Sequence, residues 1–238
     1  MRLDFNPIFG IFCLLLFTLM ATAVLLISLF LPALRSRRAV ARHASRWFLR
    51  AIRVPLRVRG LELLPGTACV VVANHSSYLD GLVLAAALPP DFGFVIKKEM
   101  VRVPVASVLL RRLGSEFVER FNRHQGAADA RRVLKTAAAG HSLVFFPEGT
   151  FNPHRGIGPF HGGAFATAAR NALPLVAVAI RGTREALPSG TLMIRRHPIE
   201  VDILAVLPTA PARSGAAELR QQCRTLIATA LGEELLSN

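Results

Sequence analysis

The residues best suited to chemistry lie in the stretch 74–80, which reads Asn-His-Ser-Ser-Tyr-Leu-Asp. A short valine-rich run precedes it and a segment with helical spacing follows it, so His75 and Asp80 stand where a strand passes into a helix. Asp80 can turn back and accept a hydrogen bond from one ring nitrogen of His75, which makes the other nitrogen a basic acceptor. An aspartate in the first helical turn is also typical of a purely structural cap, so this alternative stays open.

The sequence lacks the motifs that commonly mark a protein nucleophile. No G-x-S-x-G motif occurs, since Val144 stands where the closing glycine of Gly140-His141-Ser142 would be needed. The three cysteines are scattered without a CxxC or Cys/His cluster, so we expect no zinc site and no disulfide framework. Cys69 lies within the valine-rich run and is interpreted as buried core. A His–Asp pair without a protein nucleophile suits direct activation of a substrate hydroxyl.

Two further stretches carry polar groups at predicted strand ends. Residues 145–150, Phe-Phe-Pro-Glu-Gly-Thr, place the Glu148 carboxylate and the Gly149 backbone at a sharp turn. Residues 114–120, Gly-Ser-Glu-Phe-Val-Glu-Arg, end on Arg120, whose planar guanidinium can hold a phosphate through two hydrogen bonds. Lys97 and Lys98 follow another predicted strand. The alternatives are a plain strand-exit turn and solvated surface charges.

The elements that must position these residues form an alternating pattern. Strands are predicted over 67–73, 92–96, 116–118, 142–146, 173–180 and 199–206, and helices over 79–88, 105–113, 124–139, 162–171 and 216–236. This order predicts an α/β fold with a central, largely parallel sheet flanked by helices. We place the catalytic domain at 55–238 and an N-terminal membrane anchor with a basic interfacial helix at 1–54.

The segment from Ile8 to Leu31 contains 24 residues without a charge. A helix of this length reaches about 36 Å, enough for the hydrocarbon core of a bilayer. A cleaved signal peptide with Ala21-Thr22-Ala23 as its cleavage site is the alternative. We favour an anchor, because the apolar run continues past that site and Arg2 is the only basic side chain before it.

The net charge of +14 comes mainly from one block. Residues 35–59 hold nine arginines and no acidic residue. Directly after an apolar segment, such a block indicates a membrane orientation with the bulk of the chain in the cytoplasm, at the inner membrane if the protein is bacterial. Residues 39–54 predict a basic amphipathic helix beside anionic lipid, with a stripe of arginines along one side at Arg38, Arg42, Arg46, Arg50 and Arg53. A helix packing its apolar stripe on the domain is the alternative. Nucleic acid is not expected as a partner, because the chain holds one Trp and one Tyr.

Together these stretches resemble the glycerolipid acyltransferase family, whose best-known members are the 1-acylglycerol-3-phosphate acyltransferases. Residues 74–80 match its N-H-x-x-x-x-D block, residues 114–120 its G-x-x-F-[IV]-x-R block, and residues 145–150 its F-P-E-G-[ST] block. Residues 173–183 resemble a fourth block, except that Ala177 stands where a second proline is common. Residues 161–165 read His-Gly-Gly-Ala-Phe where many members have Lys-Lys-Gly-Ala-Phe. The resemblance covers about residues 55 to 205.

By this resemblance, His75 is the general base and Asp80 its orienting partner. Arg120 contacts the phosphate of the acceptor, and Glu148 and Gly149 shape the acceptor site. Asn74 and Thr150, which belong to the first and third blocks, are counted with Lys97 and Lys98 among the binding residues.

The resemblance implies transfer of a fatty acyl group from coenzyme A or acyl carrier protein to a lysophospholipid hydroxyl. We expect 1-acylglycerol-3-phosphate as acceptor and phosphatidic acid as product, with no cofactor and no metal ion. The alternatives are a lysolipid with a larger head group or a lyso-ornithine lipid. A non-catalytic binder of membranes or nucleic acid through the arginine block is a further alternative.

Overall fold

The structure is a computed structural model that describes residues 6–119, 123–150, 154–209 and 215–237, without the side chains of residues 104, 123 and 124. Seven strands form one sheet in the order β1-β7-β6-β2-β5-β3-β4. Their bounds are Leu56–Arg59 (β1), Val70–Ala73 (β2), Phe92–Lys97 (β3), Glu116–Val118 (β4), Ser142–Phe145 (β5), Leu175–Arg181 (β6) and Ile199–Leu207 (β7). All neighbouring pairs are parallel except β6 and β7. The largely parallel sheet predicted from the alternating pattern is therefore confirmed.

Helices cover both faces of this sheet. Their bounds are Pro7–Phe30 (α1), Leu34–Ala51 (α2), Leu79–Ala87 (α3), Pro104–Arg112 (α4), Arg123–Ala138 (α5), Gly163–Arg170 (α6), Thr183–Ala186 (α7) and Gly215–Leu231 (α8). Short 3-10 turns span Leu61–Leu63 and Lys98–Arg102. Because strand residues alternate between the faces, Val71 packs in the core under α2 and α3, whereas Val70 and Val72 pack in the core under α5, α6 and α8.

Three features of this architecture differ from the sequence prediction. Strand β1 was not predicted, because its sequence Leu-Arg-Val-Arg lies within the arginine block. Helix α2 begins at Leu34, five residues before the predicted start. Helix α8 ends at Leu231 instead of residue 236, since Gly232 has a φ of +64° that stops the helix. The residues after Gly232 turn back towards the domain.

Helix α1 is long and apolar enough to cross a membrane by length and composition. It also contacts the domain near both of its ends. The Arg196 guanidinium lies 4.4 Å from the ring centroid of Phe9, and Arg112 donates a hydrogen bond to the carbonyl of Ser28. These two contacts are about 28 Å apart along the helix at its usual rise. Helix α1 therefore lies lengthwise against the domain and exposes a row of large apolar side chains.

Helix α2 is part of the main core. Phe48, Leu49 and Ile52 are fully buried among side chains of α3 and the sheet. Arg38 does not belong to an exposed arginine stripe, which corrects the sequence interpretation. Its guanidinium donates to the carbonyls of Leu113 and Asp91, each at 2.9 Å, next to the C-terminal end of α4. One face of α2 thus packs on the domain, as the alternative interpretation held. Contact of its other face with anionic lipid stays a prediction.

The division into an anchor at 1–54 and a catalytic domain at 55–238 stays a prediction about roles. In the structure, α2 and α3 share one packed core.

This shared core makes a testable prediction. Phe48→Ala removes a ring that is 0% exposed, so we expect a loss of about 3 to 5 kcal/mol in the free energy of unfolding. Trp47→Ala is the matched control, because Trp47 is 55% exposed and its loss should cost less than about 1 kcal/mol. Denaturant unfolding of the full chain in detergent micelles measures both. Equal, small losses would contradict the packing of α2 in the domain core.

Candidate active site

The candidate active site lies where the parallel strands end. Strands β6, β2, β5, β3 and β4 are neighbours and run in the same direction, so their carboxyl ends meet at one edge of the sheet. In open α/β sheets this edge is where ligands bind. His75 follows β2, near the middle of the edge, and Glu148 follows β5 beside it. The fold therefore brings together two of the stretches selected from the sequence.

His75 and Asp80 form the predicted pair. The distance between His75 Nδ1 and Asp80 Oδ2 is 2.8 Å. The backbone N–H groups of Ser76 and Ser77 donate to the same oxygen at 2.7 and 2.9 Å. Asp80 lies in the first turn of α3 and is fully buried, whereas the His75 side chain is 20% exposed. Because an ionised carboxylate only accepts hydrogen bonds, the pair places a proton on Nδ1 and makes Nε2 the basic nitrogen.

The orientation of the His75 ring is fixed from a second side. The ring of Phe146 stacks on it with a centroid distance of 4.5 Å and an interplanar angle of 24°. Phe146 directly follows β5, so the neighbouring strand supplies this contact. The stacked ring and the Asp80 hydrogen bond together restrict the χ1 and χ2 angles of His75.

Glu148 holds the backbone of the loop that carries His75. Its Oε1 accepts the N–H of His75 at 2.8 Å, and its Oε2 accepts the N–H of Gly158 at 3.0 Å. Burial raises the pKa of the Glu148 carboxyl above its ordinary range, although both hydrogen bonds act in the opposite direction. Glu148 therefore takes up a proton at a higher pH than an exposed glutamate, and its hold on His75 weakens as the pH falls. Gly149 has a φ of +81°, which closes the turn in a conformation that favours glycine.

Asn74 has a role different from the predicted contact with substrate. Its side-chain amide donates to the Ile180 carbonyl at 2.9 Å and accepts the Ile180 N–H at 2.7 Å. The side chain is 3% exposed and joins the end of β2 to β6. These contacts make Asn74 a positioning residue for the loop that carries His75.

Sequence reasoning missed two hydroxyl groups and their partners. The hydroxyls of Ser76 and Thr183 lie 3.2 Å apart, and the Ser77 hydroxyl donates to the Leu187 carbonyl at 2.8 Å. These contacts attach the His75 loop to the segment after β6. The signal in the sequence was the position of two serines directly after His75. Their partners are more than 100 residues away, so spacing did not indicate them.

The remaining predicted binding residues lie at or beyond the same edge. Lys97 ends β3, and Lys98 donates from Nζ to the side chain of Gln125 at 2.7 Å. Strand β3 lies two positions from β2, about 10 Å at the usual strand spacing. Thr150 is exposed just after the Glu148 turn. Arg120 lies outside the described residues; strand β4, which precedes it, ends at Val118.

A model of the Acyltransferase family matches residues 55–181, more than half of the chain. The chain belongs to the acyltransferase family. The glycerolipid acyltransferase resemblance drawn from the sequence motifs is thereby confirmed at the level of the family.

Curated relatives of this acyltransferase have consistent names. It is 33% identical over 142 residues to the chloroplast 1-acyl-sn-glycerol-3-phosphate acyltransferase BAT2 of Brassica napus, a match that covers 59% of this chain and 41% of the relative. It is 29% identical to the 1-acyl-sn-glycerol-3-phosphate acyltransferase of Neisseria meningitidis serogroup B, covering 66% of this chain and 62% of the relative. The matched region thus spans less than two thirds of either relative.

A solved structure shares the fold of this acyltransferase. The 1-acyl-sn-glycerophosphate acyltransferase PlsC of Thermotoga maritima superposes with a TM-score of 0.81 over 95% of both chains, at 20% sequence identity. At this identity the likeness shows the fold alone.

Cys69 and Cys223 do not fit the role of a nucleophile. Burial raises the pKa of Cys69 to about 11 and that of Cys223 to about 12, so neither provides a thiolate near neutral pH. Among the described residues, no group of three or more His, Cys, Asp or Glu side chains could hold a metal ion. The structure positions one hydrogen-bonded pair of side chains at the carboxyl edge of the sheet, His75 and Asp80.

The contacts of Glu148 predict a kinetic effect. Glu148→Gln keeps the size of the side chain but replaces one acceptor oxygen with an NH₂ group. This donor then faces one of the two backbone N–H groups, so one hydrogen bond is lost. A hydrogen bond to a charged group contributes roughly 1.5 to 3 kcal/mol, so we expect kcat to fall about ten- to hundredfold.

The control is the same change at an exposed glutamate, Glu218→Gln in α8. Steady-state kinetics with saturating donor and acceptor measure kcat for both variants. If kcat stays at the wild-type value in Glu148→Gln, the carboxylate does not position the base.

Proposed function

We propose that this acyltransferase moves a fatty acyl group from an acyl thioester to the hydroxyl of a lysophospholipid. The acceptor proposed is 1-acylglycerol-3-phosphate, which gives phosphatidic acid. The observation that carries the proposal is the hydrogen bond from His75 to the buried Asp80 at the carboxyl edge of the sheet. The names of the relatives support the acceptor.

In the proposed reaction, His75 Nε2 accepts the proton of the acceptor hydroxyl as its oxygen attacks the thioester carbonyl carbon. The tetrahedral intermediate then expels the thiolate, and the imidazolium returns the proton to the sulfur. The reaction forms one ester bond and breaks one thioester bond, with no net proton change. Asp80 stabilises the imidazolium during this step, and proton transfer of this kind contributes about 10² to 10⁴ in rate.

Transfer without a covalent enzyme intermediate agrees with the side chains around His75. The hydroxyls of Ser76 and Ser77 are buried and hydrogen-bonded to Thr183 and Leu187. The thiolate is already a good leaving group, so the enzyme needs to activate the hydroxyl and hold two lipids in line.

The charges for the acceptor phosphate are proposed to come from Lys97, Lys98 and Arg120. Lys97 ends β3, Lys98 comes directly after it, and Arg120 follows β4 in the sequence; both strands lie on the β5 side of His75. His161 and Gly162 occupy positions where many family members have lysines, so part of the positive charge is missing there. A larger head group or a lyso-ornithine lipid is therefore the second candidate acceptor. Acyl-CoA and acyl carrier protein are both proposed as donors.

The proposed membrane attachment uses α1 and the exposed face of α2. Because α1 touches the domain near both ends, we propose that it lies along the membrane-facing side of the domain, with its exposed apolar side chains in lipid. The arginine block supports a position of the catalytic part on the cytoplasmic side, because the anionic lipids of that leaflet attract basic side chains.

This attachment predicts resistance to salt. Exposed charges are screened beyond about 8 to 10 Å near physiological ionic strength, whereas apolar burial is not weakened. We therefore expect the protein to remain with membranes in high salt. The variant with Arg46, Arg50 and Arg53 changed to Gln should also remain. Recovery of the wild-type protein in the supernatant would contradict an apolar anchor.

The proposed reaction is tested with the purified full chain in micelles. Acyl-CoA and acyl carrier protein thioesters are offered with a panel of lysolipids that includes 1-acylglycerol-3-phosphate, and radiolabelled product is measured. We expect phosphatidic acid as the main product. His75→Ala should lose about 10² to 10⁴ in kcat, because it removes the base. Asp80→Asn should be impaired but measurable.

His141→Ala is the control for this test, because His141 is exposed just before β5, at the opposite edge of the sheet. Product from another lysolipid in place of phosphatidic acid would move the proposal to the second acceptor. Near-normal turnover by His75→Ala would exclude the proposed mechanism.

A further inference from the structure

The segment that follows α8 packs beside the loop that supports Glu148. The N–H of Ile157 donates to the carbonyl of Glu234 at 2.9 Å, and the N–H of Leu236 donates to the carbonyl of Ile157 at 3.0 Å. Leu235 and Ile157 form an isolated parallel bridge. The Ile157 side chain is 2% exposed and packs in the same core as Cys223 and Ile227 of α8.

Arg224 of α8 stabilises the contact between Leu236 and the loop at Ile157 and Gly158. Its Nη2 donates to the carbonyls of Ile157, at 2.7 Å, and of Leu236, and its Nε donates to the carbonyl of Gly158 at 2.9 Å. One guanidinium thus joins the end of the chain to two successive peptide groups of the loop. The rigid fork of donors makes such a multiple contact possible for arginine and not for a single ammonium.

The peptide group between Ile157 and Gly158 connects Arg224 with the catalytic loop. Its carbonyl accepts from Arg224, and its N–H donates to Oε2 of Glu148 at 3.0 Å. The other oxygen of Glu148 accepts the N–H of His75 at 2.8 Å. A continuous line of hydrogen bonds therefore runs from α8 to the backbone of the base. Within such a line, each bond polarises the next.

A second line runs parallel to the first. Glu233 accepts the N–H of Gly156 at 2.8 Å and the guanidinium of Arg184 at 3.2 Å. Arg184 adjoins Thr183, whose hydroxyl lies 3.2 Å from that of Ser76, directly after the base. Gly156 has a φ of +118° and no room for a Cβ against Leu236, so the close approach requires glycine here.

We propose that Arg224 and residues 233–236, here called the C-terminal clasp, position the catalytic histidine. The clasp holds the peptide of Ile157 and Gly158, this peptide holds Glu148, and Glu148 holds the backbone of His75. Arg224 acts through these groups and is a positioning residue for acyl transfer. The inference rests on the proposed function, because it assigns the clasp a role in the step that His75 carries out.

The clasp acts on the chemical step more than on binding. The predicted binding residues Lys97, Lys98 and Arg120 follow β3 and β4, whereas the clasp meets the loop behind Glu148. Its loss lets the base move relative to the reacting atoms and leaves these binding residues in place. A displacement of about 1 Å by a distant mutation can cost about a hundredfold in rate.

The kinetic test uses the full chain in micelles. Arg224→Ala is expected to lower kcat about ten- to hundredfold, with the KM of donor and acceptor unchanged within about twofold. Arg224→Lys should keep part of the kcat that Arg224→Ala loses, because a lysine can still donate to some of the carbonyls. The recovery should be incomplete, since one ammonium group cannot reach all three carbonyls. Arg220→Ala, one turn earlier on the exposed face of α8, is the matched control and should keep the wild-type kcat. A raised KM at unchanged kcat, or an unchanged kcat in Arg224→Ala, would overturn the proposal.

A double-mutant cycle asks whether Arg224 acts through Glu148. If it does, the double variant Arg224→Ala/Glu148→Gln should be about as slow as Glu148→Gln alone, because the link is already broken. If the two substitutions acted independently, their factors of loss in kcat would multiply in the double variant. That result would overturn the proposal that Arg224 acts through Glu148. Should Arg224→Ala fail to fold, Arg224→Lys takes its place in the cycle.

Hydrogen exchange gives a readout that needs no activity. The amides of residues 75–77 and 157–158 should exchange faster in Arg224→Ala, whereas those of β6 should keep their wild-type protection. Uniformly faster exchange would show a merely structural role and overturn the proposal. If the wild-type protein transfers no acyl group in any assay, the proposed function fails, whereas the exchange pattern still decides whether the clasp holds the loop.

Discussion

One oxygen of Asp80 receives hydrogen bonds from the His75 ring and from two backbone N–H groups, and the arrangement of the site depends on this contact. This oxygen is buried in the first turn of α3, where water does not reach it. Its negative charge is therefore stabilised by hydrogen bonds from donors of the protein itself. The ring donates from Nδ1, and the loop must fold tightly enough for the Ser76 and Ser77 amides to point at the same atom. The shape of the loop and the tautomer of the base are therefore set by one interaction.

The fold surrounds this contact with groups that oppose displacement of the loop. Asn74 ties its beginning to β6, and Glu148 ties the backbone of His75 to the turn after β5. These partners act on backbone groups and hold the loop that carries His75. An acyl transfer that proceeds without a covalent intermediate depends on such prior order, because the base, the hydroxyl and the thioester must meet in a single geometry.

The sequence predicted those features whose signal is carried by residue type and spacing. The valine-rich run before Asn74 predicted a buried strand, and the five-residue spacing of His75 and Asp80 predicted their hydrogen bond, which the structure shows at 2.8 Å. Strand β1 escaped prediction because its alternating arginines look like part of a basic block. Arg38 was assigned to an exposed stripe for the same reason, whereas its guanidinium is held by carbonyls far along the chain. The partners of Glu148 and Arg224 are backbone atoms, and backbone partners leave no residue-type signature in the sequence.

In the proposed mechanism, Asp80 fixes His75 as a neutral base with its proton on Nδ1. Nitrogen-15 NMR of the histidine-labelled full chain in micelles measures this directly, because the two ring nitrogens of a neutral imidazole differ according to which one carries the proton. The His75 signals are assigned by their loss in a His75→Gln variant. We expect a protonated Nδ1 and an unprotonated Nε2 in the neutral ring. A neutral His75 that carries its proton on Nε2 would contradict it.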